Sequence, residues 1–225
     1  MISYTLVRSR RKTVAIYITK DATVEVRAPL KMTKADIKKF IASKEKWVEQ
    51  SLERREQINA EKSGFTLDYE DMAMLCGKTY PIRARDGTRA EFDGKCFYMP
   101  PNLAPGEIKN AVVQIYKAAA KRIIKDKVSE YAKRMNVSPA AVKITSAKTR
   151  WGSCSGRNSI NFSWRLIMAG EDVIDYVVVH ELAHIREHNH SPRFWAAVES
   201  VLPDYKDRRN KLKLLQKQLA VQDWD

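Results

Sequence analysis

All four histidines of the chain fall between positions 180 and 190, in the run His180-Glu181-Leu182-Ala183-His184-Ile185-Arg186-Glu187-His188-Asn189-His190. On a helix, residues i and i+4 lie one above the other on one face. His180 and His184 can therefore direct nitrogens at a single Zn²⁺ ion. Glu181 follows the first ligand, where it is placed to take a proton from water rather than to bind the metal. A metal held this way lowers the pKa of water toward about 7, polarises a scissile carbonyl and keeps a coordination position open for substrate. The plain alternative is a buried helix that happens to carry two histidines, and Ile174-Asp175-Tyr176-Val177-Val178-Val179 does make this helix apolar. A further histidine at ligand distance favours the metal.

The third ligand is a choice between His188 and His190. His188 continues the same helical face, and three histidines stacked along one straight helix converge poorly on one tetrahedral centre. His190 does better if the helix stops near Asn189, since Asn tolerates the left-handed conformation that ends helices. Ser191 then reads as the N-cap of a new helix, with Pro192 at its first position. The expected arrangement is helix, sharp turn, helix, with His190 at the corner. Cys154 is a further candidate ligand, against the plainer reading of a small core residue.

The elements that must position these residues read as an α+β fold. Val14, Ile16 and Ile18 share one parity, and Val24, Val26 and Ala28 repeat it after Lys20-Asp21, which predicts a β-hairpin ended by Pro29. Residues 33 to about 60 read as one helix capped by Thr33, with Lys44 as a polar interruption of its apolar face. Short strands follow over Met72–Cys76, Tyr80–Arg85, Ala90–Phe92 and Cys96–Met99, separated by turn signals. Pro100-Pro101-Asn102 reads as a boundary. It divides a β-rich N-terminal region with one long helix, residues 1–102, from a second region, residues 103–225. From 105 to about 135 an amphipathic helix carries Ile108, Val112, Ile115, Ala119 and Ile123 as one stripe and Lys117, Lys121 and Lys125 as a basic row. Val142–Ala147 is strand-like, Trp151–Gly156 reads as a turn, and Ser159–Phe162 reads as a second strand. Glu171, Asp172 and Asp175 suit the first turn of the histidine helix.

The bulk composition of the 225 residues, 44% hydrophobic and 30% charged, is that of a soluble globular chain. No run approaches the roughly eighteen apolar residues of a membrane span, and charge interrupts the N-terminus before a signal peptide can form. Three cysteines without ligand spacing suit a reducing compartment, so a cytoplasmic location is expected. The net charge of +14 is uneven: residues 103–170 hold 13 basic and 3 acidic side chains, whereas residues 171–225 hold 8 and 10. A basic stretch of this kind attracts nucleic acid or acidic partners, or is simply a solvated face.

His180-Glu181-Leu182-Ala183-His184, Asn189-His190-Ser191 and Phe194-Trp195 together resemble the YgjP-like metallopeptidases, relatives of the SprT-like proteases. Arg150-Trp151-Gly152-Ser153-Cys154-Ser155 with Ile160-Asn161-Phe162-Ser163-Trp164-Arg165-Leu166 is similar to the family's second signature. Arg8–Thr13 and Val26-Arg27-Ala28-Pro29 fit its N-terminal pattern. Glu187 stands where the longer metzincin motif needs Gly. The resemblance implies one zinc ion on His180, His184 and His190, Glu181 as catalytic base, and a zincin-like catalytic domain over 103–225. It also implies a peptide or protein substrate bound along an edge strand, for which Ser159–Phe162 or Lys143–Ala147 would serve. Tyr205 and Arg150 are candidates for stabilising the oxyanion, and Glu199 for supporting a histidine ring. The rival reading is a basic nucleic-acid-binding module whose zinc is structural and closed by a fourth ligand such as His188. A protease acting on nucleic-acid-bound proteins joins the two.

Overall fold

Val24, Val26 and Ala28 share one parity of a strand, and the computed structural model, which describes residues 2–224, buries all three together with Ile37, Ile41 and Val48. That cluster is the core of the first of two units, residues 1–65 with 219–223; the second comprises 66–218 with 224–225. The Pro100–Asn102 stretch lies inside the second unit.

In the first unit, strands β2 (Ala15–Ile18) and β3 (Val24–Pro29) form the expected antiparallel hairpin. A strand the sequence reading did not anticipate, β1 (Thr5–Ser9), runs parallel to β3 on its other side, giving the order β1-β3-β2. Arg8 ties that sheet to the chain leaving it, because its guanidinium donates to the carbonyls of Pro29, Leu30 and Met32 at 2.8–3.0 Å. The single helix expected from 33 is two, α1 (Lys34–Ala42) and α2 (Glu45–Ser63). The Ser43 hydroxyl donates back to the Phe40 carbonyl, and Lys44 leaves helical geometry at φ −119°. A side chain that competes for backbone carbonyls is enough to break a helix whose face is already interrupted by a lysine.

The second unit opens with four short strands, β4 (Met72–Leu75), β5 (Lys78–Ala84), β6 (Glu91–Phe92) and β7 (Phe97–Met99), in the order β4-β5-β7-β6. Helix α3 (Pro105–Arg134) follows. Its buried stripe is Ile108, Val112, Tyr116, Ala120, Ile124 and Val128. Ile115, Ala119 and Ile123, expected in the stripe, are only half-buried at its margin. The face is turned by Tyr116, whose ring lies 5.9 Å from Phe97, 6.0 Å from Trp164 and 5.5 Å from Trp224. Of the basic row, Lys121 and Lys125 are exposed and Lys117 is half-buried.

A three-stranded sheet leads to the histidines: β8 (Ala141–Thr145), β9 (Gly152–Cys154) and β10 (Ser159–Ser163), in the order β8-β10-β9. The segment read as a turn, Trp151–Gly156, thus contains a strand, too short to reveal itself by alternation. Because β10 pairs with β8 on one side and β9 on the other, Ser159–Phe162 is the central strand and has no edge to offer. The edge that packs against the histidine helix is β9. A 3-10 turn at Trp164–Met168 then delivers the chain to α4 (Glu171–Ala183), α5 (Pro192–Val201) and α6 (Tyr205–Ala220). Gly77, in the turn between β4 and β5, meets Gly170 where the chain leaves this 3-10 turn: a Cβ on Gly77, at φ +76°, would lie 2.8 Å from the Gly170 Cα.

Trp164 is the largest fully enclosed side chain, packed against Tyr116 and, at 6.3 Å, edge-on to Trp224. Its replacement by Ala is expected to cost about 3–5 kcal/mol, the usual range for emptying a buried aromatic site. Urea denaturation measures it, and a loss under about 1 kcal/mol would mean that the aromatic cluster is not what holds this unit.

Candidate metal centre

Helix α4 is buried on most of its circumference, Val173 to Ala183 contributing nine buried residues. Its register is pinned from both sides by its acidic first turns. Asp175 receives Lys127 of α3 at 2.7 Å and Arg208 of α6 at 3.7 Å, and Asp172 receives Lys211 of α6 at 2.6 Å. Acids at this end also face the positive pole of the helix. Such half-buried pairs fix position more than they add stability.

The helix ends at Ala183, with His184 as its C-cap. This is earlier than the stop expected near Asn189, and Asn189 is not among the left-handed residues. The terminating device is a tightened turn, in which Ile185 N–H donates to Leu182 and Arg186 N–H and Glu187 N–H both donate to Ala183. The following segment swings back to Ser191, whose side chain accepts from Phe194 N–H at 3.3 Å and starts α5 with Pro192 in its first turn, as the sequence predicts.

This path brings His180, His184 and His190 together, with one ligand atom from each lying within 4.8 Å of the others. The Nε2 atoms of His180 and His190 are 3.1 Å apart. A tetrahedral ion with bonds of about 2.0–2.1 Å spaces its ligand nitrogens by roughly 3.3 Å, so that pair is already at ligand spacing. His188 is exposed and outside the group, and the half-buried Cys154 on β9 is outside it too. His184 Nδ1 lies 3.1 Å from the Glu187 carbonyl. A carbonyl only accepts, so Nδ1 carries the proton and Nε2 keeps its lone pair for a metal. The supporting partner is this backbone carbonyl and not Glu199, which is exposed on α5.

Three aromatic residues hold the rings. Phe194, fully buried, wedges among the histidines with ring distances of 4.9, 4.5 and 4.8 Å to His180, His184 and His190. Trp195 stacks on His190 at 5.6 Å and on Tyr205 at 5.3 Å. Tyr205 is thereby part of the support of the His190 ring. In the sequence Phe194 and Trp195 are part of the family resemblance without an assigned role; their place immediately after Ser191-Pro192-Arg193 is the available signal that they belong to the site.

Burial pushes the His180 imidazole down to about 3, helped by His184, His190 and Arg209. Burial also lowers His184, against the opposing pull of the Glu187 carbonyl. Both rings are therefore neutral donors at ordinary pH, the form a metal requires. Burial pushes the Glu181 carboxyl up to about 7, with Arg150 working in the other direction. Glu181 Oε2 and His180 Nδ1 are buried without a hydrogen-bond partner. Buried polar atoms left in this state mark a place where chemistry rather than packing sets the residue type. His190 is exposed, so the cluster opens to solvent on that side, as a metal site that admits substrate must. The residues present thus fit a divalent ion with three nitrogen ligands.

A family model described as YgjP-like, metallopeptidase domain, matches residues 12–214. No curated protein matches the chain. Among solved structures, the chain is similar over part of its length to the metallopeptidase zymogen of Pyrococcus abyssi abylysin, at 23% identity with a TM-score of 0.37, covering 40% of this chain and 90% of that one. It is likewise similar to the metallopeptidase zymogen of Methanocaldococcus jannaschii jannalysin, at 24% identity and the same TM-score, covering 42% and 96%. With three histidines gathered at one point and a family match that runs through both signature blocks, the chain belongs to the YgjP-like metallopeptidase family.

Proposed function

We propose that the protein hydrolyses peptide bonds in a zincin-like catalytic domain within residues 103–225, with one Zn²⁺ on His180, His184 and His190 and with Glu181 as general base. The observation that carries the reading is the cluster of three ligand atoms within 4.8 Å beside a buried carboxyl. Imidazole donors suit zinc among the available divalent ions. Bound there, the ion would supply Lewis-acid chemistry, making water acidic enough to deprotonate near neutral pH and polarising the scissile carbonyl. Glu181 takes a proton from the attacking water as the oxygen–carbon bond forms. It returns that proton to the amine nitrogen as the carbon–nitrogen bond breaks. Of the two residues considered for the oxyanion, Arg150 is favoured because its charge acts on Glu181.

The substrate backbone pairs with the free edge of β9. Ser163 N–H donates to the Trp151 carbonyl and Ser155 N–H to the Ser159 carbonyl, so alternate residues of this segment face β10. By the same alternation Gly152 and Cys154 turn their N–H and C=O groups outward. A peptide lying there runs along the strand that packs against α4.

Three ligands and an open side favour this reading over a closed structural zinc, for which His188 would have to join the cluster. The test is digestion of an unbiased peptide library by the zinc-loaded protein and by the same protein stripped with a chelator. New termini only in the zinc-loaded digest support the proposal; equal cleavage after stripping refutes it. A protein substrate carried on nucleic acid is a second reading, drawn from the exposed Lys121 and Lys125 within the basic stretch. It expects sequence-independent DNA binding that weakens steeply with salt, and Lys121→Glu with Lys125→Glu should reduce it without changing zinc content. Among the described residues no helix is long and apolar enough to cross a membrane.

A further inference from the structure

We infer that Gly152 is a positioning residue for Glu181: the missing side chain of this one strand residue is the space in which the carboxylate lies. The inference rests on the reading of Glu181 as the general base. A Cβ built on Gly152 would stand 2.6 Å from both Cγ and Oε1 of Glu181 and 2.8 Å from its Cδ. Real carbon atoms do not approach so closely, so any side chain at 152 forces the carboxylate to move. At a surface position a flexible glutamate would swing away into water. Here Glu181 is 6% exposed, and its other oxygen, Oε2, is buried as well. Displacement therefore changes where the base points.

Two further features make the contact specific. Gly152 does not adopt a left-handed conformation, unlike Gly77, Gly87 and Gly94. Its backbone accepts an L-residue without strain, so glycine is required here for room alone. In a strand, residues two apart share a face, which puts Cys154 on the same side as Gly152. The Cys154 thiol, raised first by burial, is raised further by the Glu181 carboxylate, in keeping with that placement. Gly152 thus meets Glu181 with its missing side chain and turns its backbone groups to the free edge of β9. One residue sets the base against the strand along which the peptide lies, and this fixes the distance from the base to the scissile bond.

The sign of a stability change separates this role from a general packing role. Glycine inside a strand is normally improved by alanine, because the unfolded chain loses freedom, which raises Tm by about 1–4 °C in a unit of this size. Gly152→Ala in the otherwise native chain should instead lower Tm. In the Glu181→Ala background, where the obstructing carboxylate is gone, the same substitution should raise it. Gly152→Ala should also keep stoichiometric zinc while kcat on a peptide cleaved by the native enzyme falls about 100-fold with little change in KM, the loss expected when a reacting group is misplaced by about 1 Å. If Gly152→Ala alone fails to fold, recovery of the fold in Gly152→Ala/Glu181→Ala supports the contact. An equal Tm shift in both backgrounds, or a kcat within twofold of the native value, overturns the inference. Undiminished kcat in Glu181→Gln would overturn the reading of the base beneath it, and the Tm comparison distinguishes that case from a contact that does not exist.

Discussion

Replacing His184 with Ala is expected to leave the protein without bound zinc. In the proposed site three imidazoles supply the whole ligand set, and with one removed the remaining pair would not hold the ion against dialysis. Losing an outer hydrogen-bond partner of a metal ligand costs about 10–100-fold in affinity, and losing the ligand itself costs more. His180→Ala and His190→Ala should behave alike, whereas His188→Ala, at an exposed position outside the cluster, should keep one zinc per chain. Metal analysis after dialysis measures all four variants. The fold should survive in each, since α4 is held by Asp172 and Asp175 and by its apolar faces rather than by the ion. Stoichiometric zinc in the His184→Ala protein would show that the ligand set is wrong, and zinc loss confined to His188→Ala would restore the stacked-helix alternative.

How much of this centre was legible depends on the range over which each feature is encoded. The i, i+4 spacing of His180 and His184 is local, and so is the Ser191-Pro192 start of α5; both read directly. The preference for His190 over His188 came from the need for a corner, and the structure does turn one. It turns it at His184, through backbone hydrogen bonds to Leu182 and Ala183 that leave no signature in residue type. The elements that were missed are those defined by partners. Gly152–Cys154 is three residues long and becomes a strand only through β10. Thr5–Ser9 becomes one only against β3. The same holds inside the site: Phe194 is an ordinary apolar residue until three imidazoles surround it. Nothing in the local sequence says that the carboxylate of Glu181 will fill the space above Gly152, twenty-nine positions earlier. The break at Ser43–Lys44 was half visible, because the lysine interruption was noted while the competing serine hydroxyl beside it was not.

Glu181→Gln is expected to retain one zinc per chain and the native fold while losing about 10²–10⁴-fold in kcat, the share of catalysis that a placed general base supplies. The amide has the shape of the carboxylate and fits the same space against Gly152, so the packing that a larger change would disturb stays intact. What it lacks is an atom that can accept the proton from water. A second, independent signature comes from stability in the metal-stripped protein. Burial lifts the Glu181 carboxyl from 4.5 to about 7. A group whose pKa is higher folded than unfolded contributes stability that is complete below about 4.5 and is lost as pH rises through about 7. The metal-free native protein should therefore lose stability relative to Glu181→Gln across that window, the difference levelling off above it. Denaturant titrations of the two proteins from pH 4 to 8 measure this, and the difference between them cancels every other titrating group, including His180, which works in the opposite direction. A Glu181→Gln enzyme that cleaves peptides at the native rate would sink the assignment of the base. Parallel stability curves would mean that burial does not raise the Glu181 carboxyl in the metal-free protein, and the base would then be ionised before the metal arrives.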